Sequence, residues 1–310
     1  MDFRQLRALI AVADHGTFSA AADALDTVQS NISTHIAKLE SELSTQLIDR
    51  ALNRLTPEGD SVVARARRIS NEMDLISADL AVFRDEVKGE VHCGMIQTTG
   101  GWLLPHLMTQ ITRRYPEMYI RLTGGGTSTL EPLIASGVLD LAVIQAPSRW
   151  SEVVAEDLFD EEIVLVTPTS HPFATSKQLT VVDLRNTPML LPTVGTAPRT
   201  ELDAAARRLG TSLSAQAEID GTEWAVMLAV KGQGPALVPA TAVPLGRNDE
   251  DSTWTVKHVE DMPLRTVSLA KHRRNPLSPP SRVIRQLIFE LLDEHIPQMR
   301  GVTLLPRNKG

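Results

Sequence analysis

Cysteine is nearly absent. Cys93 is the one thiol in 310 residues, so an intrachain disulfide, a thiolate zinc cluster and a two-thiol redox switch are excluded. Long apolar runs are missing too: no stretch approaches the roughly 18 residues that span a bilayer, so no membrane partner is expected. The N-terminal segment carries Asp2 and Asp14 around a short apolar stretch and lacks the small-residue cleavage pattern of a secretion signal. These absences together point to the cytoplasm. No Ser/His/Asp order, paired carboxylates or metal-ligand spacing stands out, so an enzyme is not expected. Gly124-Gly125-Gly126 and Gly232-Gln233-Gly234 lack the Lys-Ser/Thr of a phosphate loop and the spacing of a dinucleotide turn, so no cofactor is expected either.

Basic charge is also scarce, with a net of −7, whereas a nucleic-acid binder normally shows a basic patch. Residues 1–60 hold Arg4, Arg7, Lys38, Arg50 and Arg54 against nine acids, a net of −4. Local placement must then supply any affinity for phosphate. Between Val28 and Leu39 there is no acid, and His35 and Lys38 are the candidate cations.

What is present is a chain 42% hydrophobic, long enough for two or three domains with their own cores. Leu6, Leu9, Ile10 and Ala13 mark a helix that stops at His15-Gly16. Thr17 or Ser19 can cap a second helix rich in alanine. Ile32, Ile36, Leu39 and Leu43 recur on one face of a third, with Gln29, Ser30, Ser33 and Thr34 on others. Gln, Asn and hydroxyl side chains at the start of such a helix suit major-groove reading. On spacing alone, an ordinary α-hairpin with a solvated face is an equal alternative.

Phe18-Ser19-Ala20-Ala21-Ala22, Leu25, Gln29-Ser30-Asn31-Ile32-Ser33, Ile36, Leu39-Glu40, Leu43, Leu47, Arg50 and Leu55-Thr56-Pro57-Glu58-Gly59 closely resemble the N-terminal domain of LysR-type transcriptional regulators. The match runs in register over about fifty-five positions and so exceeds a short motif in specificity. It implies a winged helix-turn-helix in residues 1–59 that binds double-stranded DNA. Ser19, Gln29, Ser30, Asn31, Ser33, Thr34, His35, Lys38, Arg50 and Arg54 are its candidate contacts. Three departures bear on affinity. Val28 replaces a common Ser cap, leaving Thr27 to take over the capping. Thr34 and His35 stand where the family often has Arg and another long polar residue. The wing between Arg50 and Leu55 is about two residues short.

Thr56 before Pro57 starts a further helix. Val62, Ala66, Ile69, Met73, Ile76, Leu80, Phe83 and Val87 alternate spacings of four and three, the seam of a coiled coil. A helix from Pro57 to Val87 would be roughly 46 Å long. Residues 60–88 are therefore expected to form a linker whose stripe, Val62 to Phe83, joins two copies rather than packing on its own chain. The inference is a homodimer placing two reading heads on one DNA site, an imperfect inverted repeat. The resemblance implies that tetramers of paired dimers are common, and it brings in RNA polymerase as a further partner.

Beyond Gly89, strand-like segments such as Val91–Ile96, Leu139–Ile144, Ile163–Val166 and Thr266–Ala270 alternate with helical patterns, which indicates an α/β architecture with parallel sheets. Leu104-Pro105, Leu139-Asp140-Leu141-Ala142, His171-Pro172 and Leu237-Val238-Pro239 resemble, in order, the family's effector domain, itself similar to periplasmic binding proteins. The resemblance implies two Rossmann-like subdomains within residues 89–300. Subdomain I would hold 90–164 and 268–300, subdomain II 165–267, with a tail at 301–310. Ligands of such sheets sit beyond the strand ends near helix N-termini. Thr98, Thr99, Thr127, Ser128, Gln145, Arg199 and Thr222 are the candidates for holding a small-molecule effector. A small organic anion is the natural guess, with Arg199 as its cation.

The other features carry simpler readings. Cys93 is expected in the core, Lys271-His272-Arg273-Arg274 at a solvated strand edge, and the tail after Pro297 to be mobile. Trp102, Trp150, Trp224 and Trp254 are expected in the core or at an interface, with Trp102 and Trp224 also placed to line the pocket. The expectation for the whole is a ligand-responsive DNA-binding regulator. Its chief rival is a cytoplasmic solute-binding or chaperone-like module whose helical head serves only to dimerise.

Overall fold

The computed structural model describes residues 1–49, 54–82, 87–244 and 252–306. Helix α1 (Phe3–His15) opens on a reciprocal cap in which Asp2 accepts from the Gln5 amide and Gln5 from the Asp2 amide, and it ends on Gly16 at φ 74°. Of the two candidate caps for α2 (Phe18–Ala24), Thr17 serves, accepting from the Ala20 amide. Helix α3 (Gln29–Leu43) begins at Val28 without a side-chain cap. Thr27 does not take over, because its hydroxyl oxygen is engaged by the Asn31 side-chain amide at 2.9 Å. Strands β1 (Ile48–Asp49) and β2 (Arg54–Leu55) pair antiparallel as a short wing. The Thr56 hydroxyl then caps α4 (Pro57–Val82), accepting from the Gly59 amide at 3.0 Å.

Leu6, Leu9, Ile32, Ile36 and Leu39 pack together with Leu47 of the wing and with Val63 and Ala66 of α4. The first turns of α4 thus wall the head's own core. This corrects the expected seam at its N-terminal end: Ala66 is 1% exposed and Val62 is half-buried against that core. Intrachain burial wins because α1 and α3 leave an apolar face that only α4 can close. Farther along, Ile69 and Met73 are 42% and 45% exposed. The side chains of Ile76 and Leu80, and the whole of Phe83, lie outside what is described, as does Arg50. At 26 residues, the described helix is about 39 Å long.

The effector region begins with β3 (Gly89–Met95), α5 (Gln97–Arg114), β4 (Met118–Gly124), α6 (Thr127–Ala135), β5 (Leu141–Gln145) and β6 (Val153–Glu161). The chain crosses at Glu162 into β7 (Ile163–Pro168), β8 (Pro188–Pro192), α7 (Ala197–Arg208), β9 (Ser214–Ile219), α8 (Thr222–Val230), β10 (Ala236–Pro239) and β11 (Trp254–His258). It returns through β12 (Arg265–His272), α9 (Pro279–His295) and β13 (Val302–Leu304). The first sheet has the order β13-β6-β12-β5-β3-β4 and the second β11-β7-β10-β8-β9.

Both sheets are mixed, not parallel throughout as expected. β3 runs parallel to β4 and β5, while β12 is antiparallel to β5 and β6. In the second sheet β8 is parallel to β9 and β10, and β7 is antiparallel to β10 and β11. The two crossings account for the mixture: a strand that returns from the other sheet enters from the opposite end. β12 therefore lies inside its sheet, and His272, paired with Val153, is buried rather than at a solvated edge. Residues 302–304, expected as part of a mobile tail, form a strand on β6, pairing Val302 with Glu161 and Leu304 with Phe159.

One glycine tests the junction of wing and α4. A Cβ on Gly59 would lie 2.1 Å from the Leu47 carbonyl oxygen, a backbone atom that cannot swing aside. Gly59→Ala is expected to destabilise the head by about 1–3 kcal/mol and to lower its melting midpoint by circular dichroism, with DNA affinity falling in parallel.

Candidate DNA interface and effector cleft

Burial of Ile32, Ile36 and Leu39 fixes which side of α3 faces outward. Gln29, Ser30, Asn31, Thr34 and Lys38 are exposed, and Ser33 and His35 half-buried. Not all of these polar groups are free to read bases. The Thr34 hydroxyl donates to the Ser30 carbonyl at 2.8 Å, and Asn31 is turned to Thr27. The side chains of Gln29, Ser30 and Ser33 make no such bond among the described residues. Ser19 on α2 and Arg54 on β2 are exposed on neighbouring elements.

In the effector region the C-terminal ends of β3, β4 and β5 lie side by side, with Met95 opposite both Gly124 and Val143. This edge brings several candidates together. The Thr127 hydroxyl accepts from the Gln145 amide at 2.9 Å. The Gln145 side chain reaches out of the first sheet and donates to both Glu201 carboxylate oxygens on α7, at 2.7 and 2.9 Å. Thr98 is buried, and its hydroxyl accepts from the Arg265 guanidinium at 3.3 Å.

Arg265 starts β12 and is paired at 3.0 Å with Glu161, which has no exposed surface. The Glu161 carboxylate also accepts from the Thr241 amide at 3.1 Å and hydroxyl at 2.6 Å. Glu161 ends a first-sheet strand, whereas Thr241 follows β10 of the second. The cluster therefore ties the two halves together beside the crossings.

Other candidates are placed differently. Arg199 is 8% exposed and held within its own half by Asp203 at 3.0 Å, the Pro192 carbonyl at 3.1 Å and Glu218 at 3.7 Å. It is a structural cation, and the cation beside Thr98 is Arg265. Thr99 is fully buried and its hydroxyl has no partner among the described residues. Ser128 is exposed, and Thr222 is half-buried at the start of α8. Trp102 belongs to the core of the first half, while Trp224 is 63% exposed. Arg265, Glu161, Glu201 and Thr241 escape a sequence reading, since each acts on a partner at least 56 positions away.

Comparison with known proteins gives the family. The family model of bacterial regulatory helix-turn-helix proteins of the lysR family matches residues 3–60, and that of the LysR substrate binding domain matches residues 84–293. The chain belongs to the LysR family of transcriptional regulators. It is 31% identical over 298 residues to a probable hydrogen peroxide-inducible genes activator of Mycobacterium leprae, covering 94% of each chain. It is 26% identical to the DNA-binding transcriptional dual regulator OxyR of Escherichia coli, over 96% of this chain and 98% of that one. A full-length OxyR cysteine-to-aspartate variant from Pseudomonas aeruginosa superposes with a TM-score of 0.79 at 24% identity, covering 98% of both chains.

In this regulator the pair at the crossings is open to test. Arg265→Met keeps the stem but leaves the buried Glu161 carboxylate without its cation. Breaking such a pair costs about 3–5 kcal/mol, so the effector domain should melt at a clearly lower temperature. Calorimetry on the full chain checks it, with the head's transition unchanged.

Proposed function

We propose that this chain is a homodimeric regulator that reads an imperfect inverted repeat in promoter DNA and responds to a small polar molecule held between the two halves of its effector domain. One observation carries the DNA part: the outward side of α3 is polar, exposed and free of acids from Val28 to Leu39. In a chain of net charge −7, a stretch clear of acids marks the surface that phosphates can approach. Exposure of Ile69 and Met73 on α4 supports a second copy as the partner of the linker. Its setting would be the cytoplasm, with RNA polymerase at the promoter.

The cleft reading rests on Thr98, Thr127 and Gln145 at one edge of the first sheet and Glu201 facing them. Charge there does not favour an anion. Arg265 is matched by Glu161, Arg199 by Asp203, and Glu201 is exposed. A neutral or amine-bearing molecule able to donate to Glu201 in place of Gln145 fits better.

Several relatives are named as hydrogen peroxide-inducible activators. Thiol sensing of peroxide needs an accessible thiolate. Cys93 is fully buried on β3, and burial, aided by Asp140, pushes its thiol up to about 12. Near neutral pH the thiol therefore stays protonated. With no second cysteine in the chain, no intrachain disulfide can follow. Non-covalent binding is the better reading of its sensing.

Two measurements test these readings. Gln29→Ala should weaken specific DNA binding by about 1–3 kcal/mol per lost base contact while the fold survives, as followed by salt-controlled gel shift. Equal footprints of wild type and variant would remove α3 as the reader. For Cys93, a thiol reagent should label the native protein negligibly over minutes at pH 7.5 and label one equivalent after unfolding. Rapid native labelling would reopen thiol sensing.

A further inference from the structure

On the side of the first sheet that α9 covers lies a pocket of about 140 Å³. Leu141, Val154, Leu269 and Leu277 make it apolar. Its charged lining is Glu156, Lys271 and Arg285. Both cations are held in place. The Glu156 carboxylate accepts from Arg285 Nη2 at 2.7 Å and Nε at 3.2 Å, and the guanidinium lies 4.6 Å over the Phe289 ring. Lys271 Nζ donates to the Asn275 carbonyl at 3.2 Å.

The volume and the charges select an occupant. An enclosed apolar cavity of about 150 Å³ holds a benzene-sized molecule, and this pocket offers a similar volume while opening to solvent on one side. Two cations against one carboxylate leave an excess of positive charge. Arginine carries five N–H donors and lysine three, so both retain donors beyond the bonds just named. We propose that this pocket is a second small-molecule site, taking a compact carboxylate whose apolar body is about one six-membered ring. Its ring would rest on Leu141 and Leu269, with the carboxylate at Lys271 and Arg285.

This site is separate from the cleft and does not depend on it. Leu141 begins β5 and Gln145 ends it, so the two lie about 13 Å apart at opposite ends of the strand. α9, which supplies Arg285, also packs against α4. An occupant bracing α9 on the sheet would therefore be felt where the linker meets the effector domain.

The test is titration calorimetry on the full chain with cyclohexanecarboxylate, its uncharged carboxamide, and three variants. Wild type should bind the acid saturably and the carboxamide about tenfold more weakly, the loss of roughly one charged hydrogen bond. Lys271→Met, which keeps the stem, should weaken the acid by about tenfold or more. Val154→Phe, at a strand position whose side chain shares the face of Glu156 and Lys271, fills the pocket and should abolish binding, while Thr127→Val in the cleft should leave it unchanged. Melting curves confirm that each variant is folded, and if Val154→Phe is not, Lys271→Met decides. No saturable binding by wild type up to about 10 mM, or wild-type affinity in Lys271→Met, overturns the proposal. Loss in Thr127→Val alone would also overturn it, by moving the ligand to the cleft.

Discussion

A carboxylate with no exposed surface lies where the chain passes between its two sheets. Glu161 would cost several kcal/mol to bury as an ion without a partner, so the surrounding structure must bring donors to it. It brings Arg265 from the returning strand and Thr241 from the other half. Both crossings are thereby fixed relative to each other, since Glu161 ends one strand and Arg265 begins the strand that comes back. The C-terminal strand adds a second tie: the Gly301 carbonyl accepts from the Glu162 amide, and Val302 packs on the cores of both halves. Buried charge and a terminal strand packed on both cores thus bind the two halves together at the crossings.

The contacts across the cleft itself are of a different strength. Gln145 and Glu201 meet at an exposed carboxylate, where water competes for every hydrogen bond. The two halves are thus joined firmly at the crossings and loosely at the mouth. Thr98 links the two regimes, since its hydroxyl shares the guanidinium that serves Glu161. A ligand touching Thr98 would reach the hinge through a single residue.

How much of this could be read from the sequence depended on range. The helices of the head follow from apolar spacings of three and four, and α3 shows its buried face directly in Ile32, Ile36 and Leu39. Strands buried on both faces, such as β5 and β7, are visible as apolar runs. β9, with little of its surface buried, and β13, with three residues, have no such signal. Direction was lost as well: nothing local in Arg265–His272 says that the strand runs against its neighbours. In the cleft, Thr98, Thr127 and Gln145 could be named because strand-to-helix turns carry them. Arg265 could not, because its meaning comes from Glu161, 104 positions away. Arg199 differs: Asp203 stands one helical turn on, a spacing visible in the sequence, and only Glu218 and the Pro192 carbonyl are brought to it by the fold.

The linker shows why a periodic pattern underdetermines its partner. One apolar stripe on α4 serves two purposes along its length. Its first turns, with Val63 and Ala66, complete the head's core, and its next turn presents Ile69 and Met73 outward. A heptad repeat cannot distinguish these, because both need apolar residues on one face. The division has a physical consequence. Since the head's core includes α4 itself, the reading helix α3 cannot rotate as a unit without carrying the start of the linker along. Arg67 adds to this, pairing with Asp14 of α1 and lying against the effector-domain turn at Gly137. Any motion of the effector domain that displaces that turn therefore acts on the head through the first turns of α4, which the head's own core holds in place.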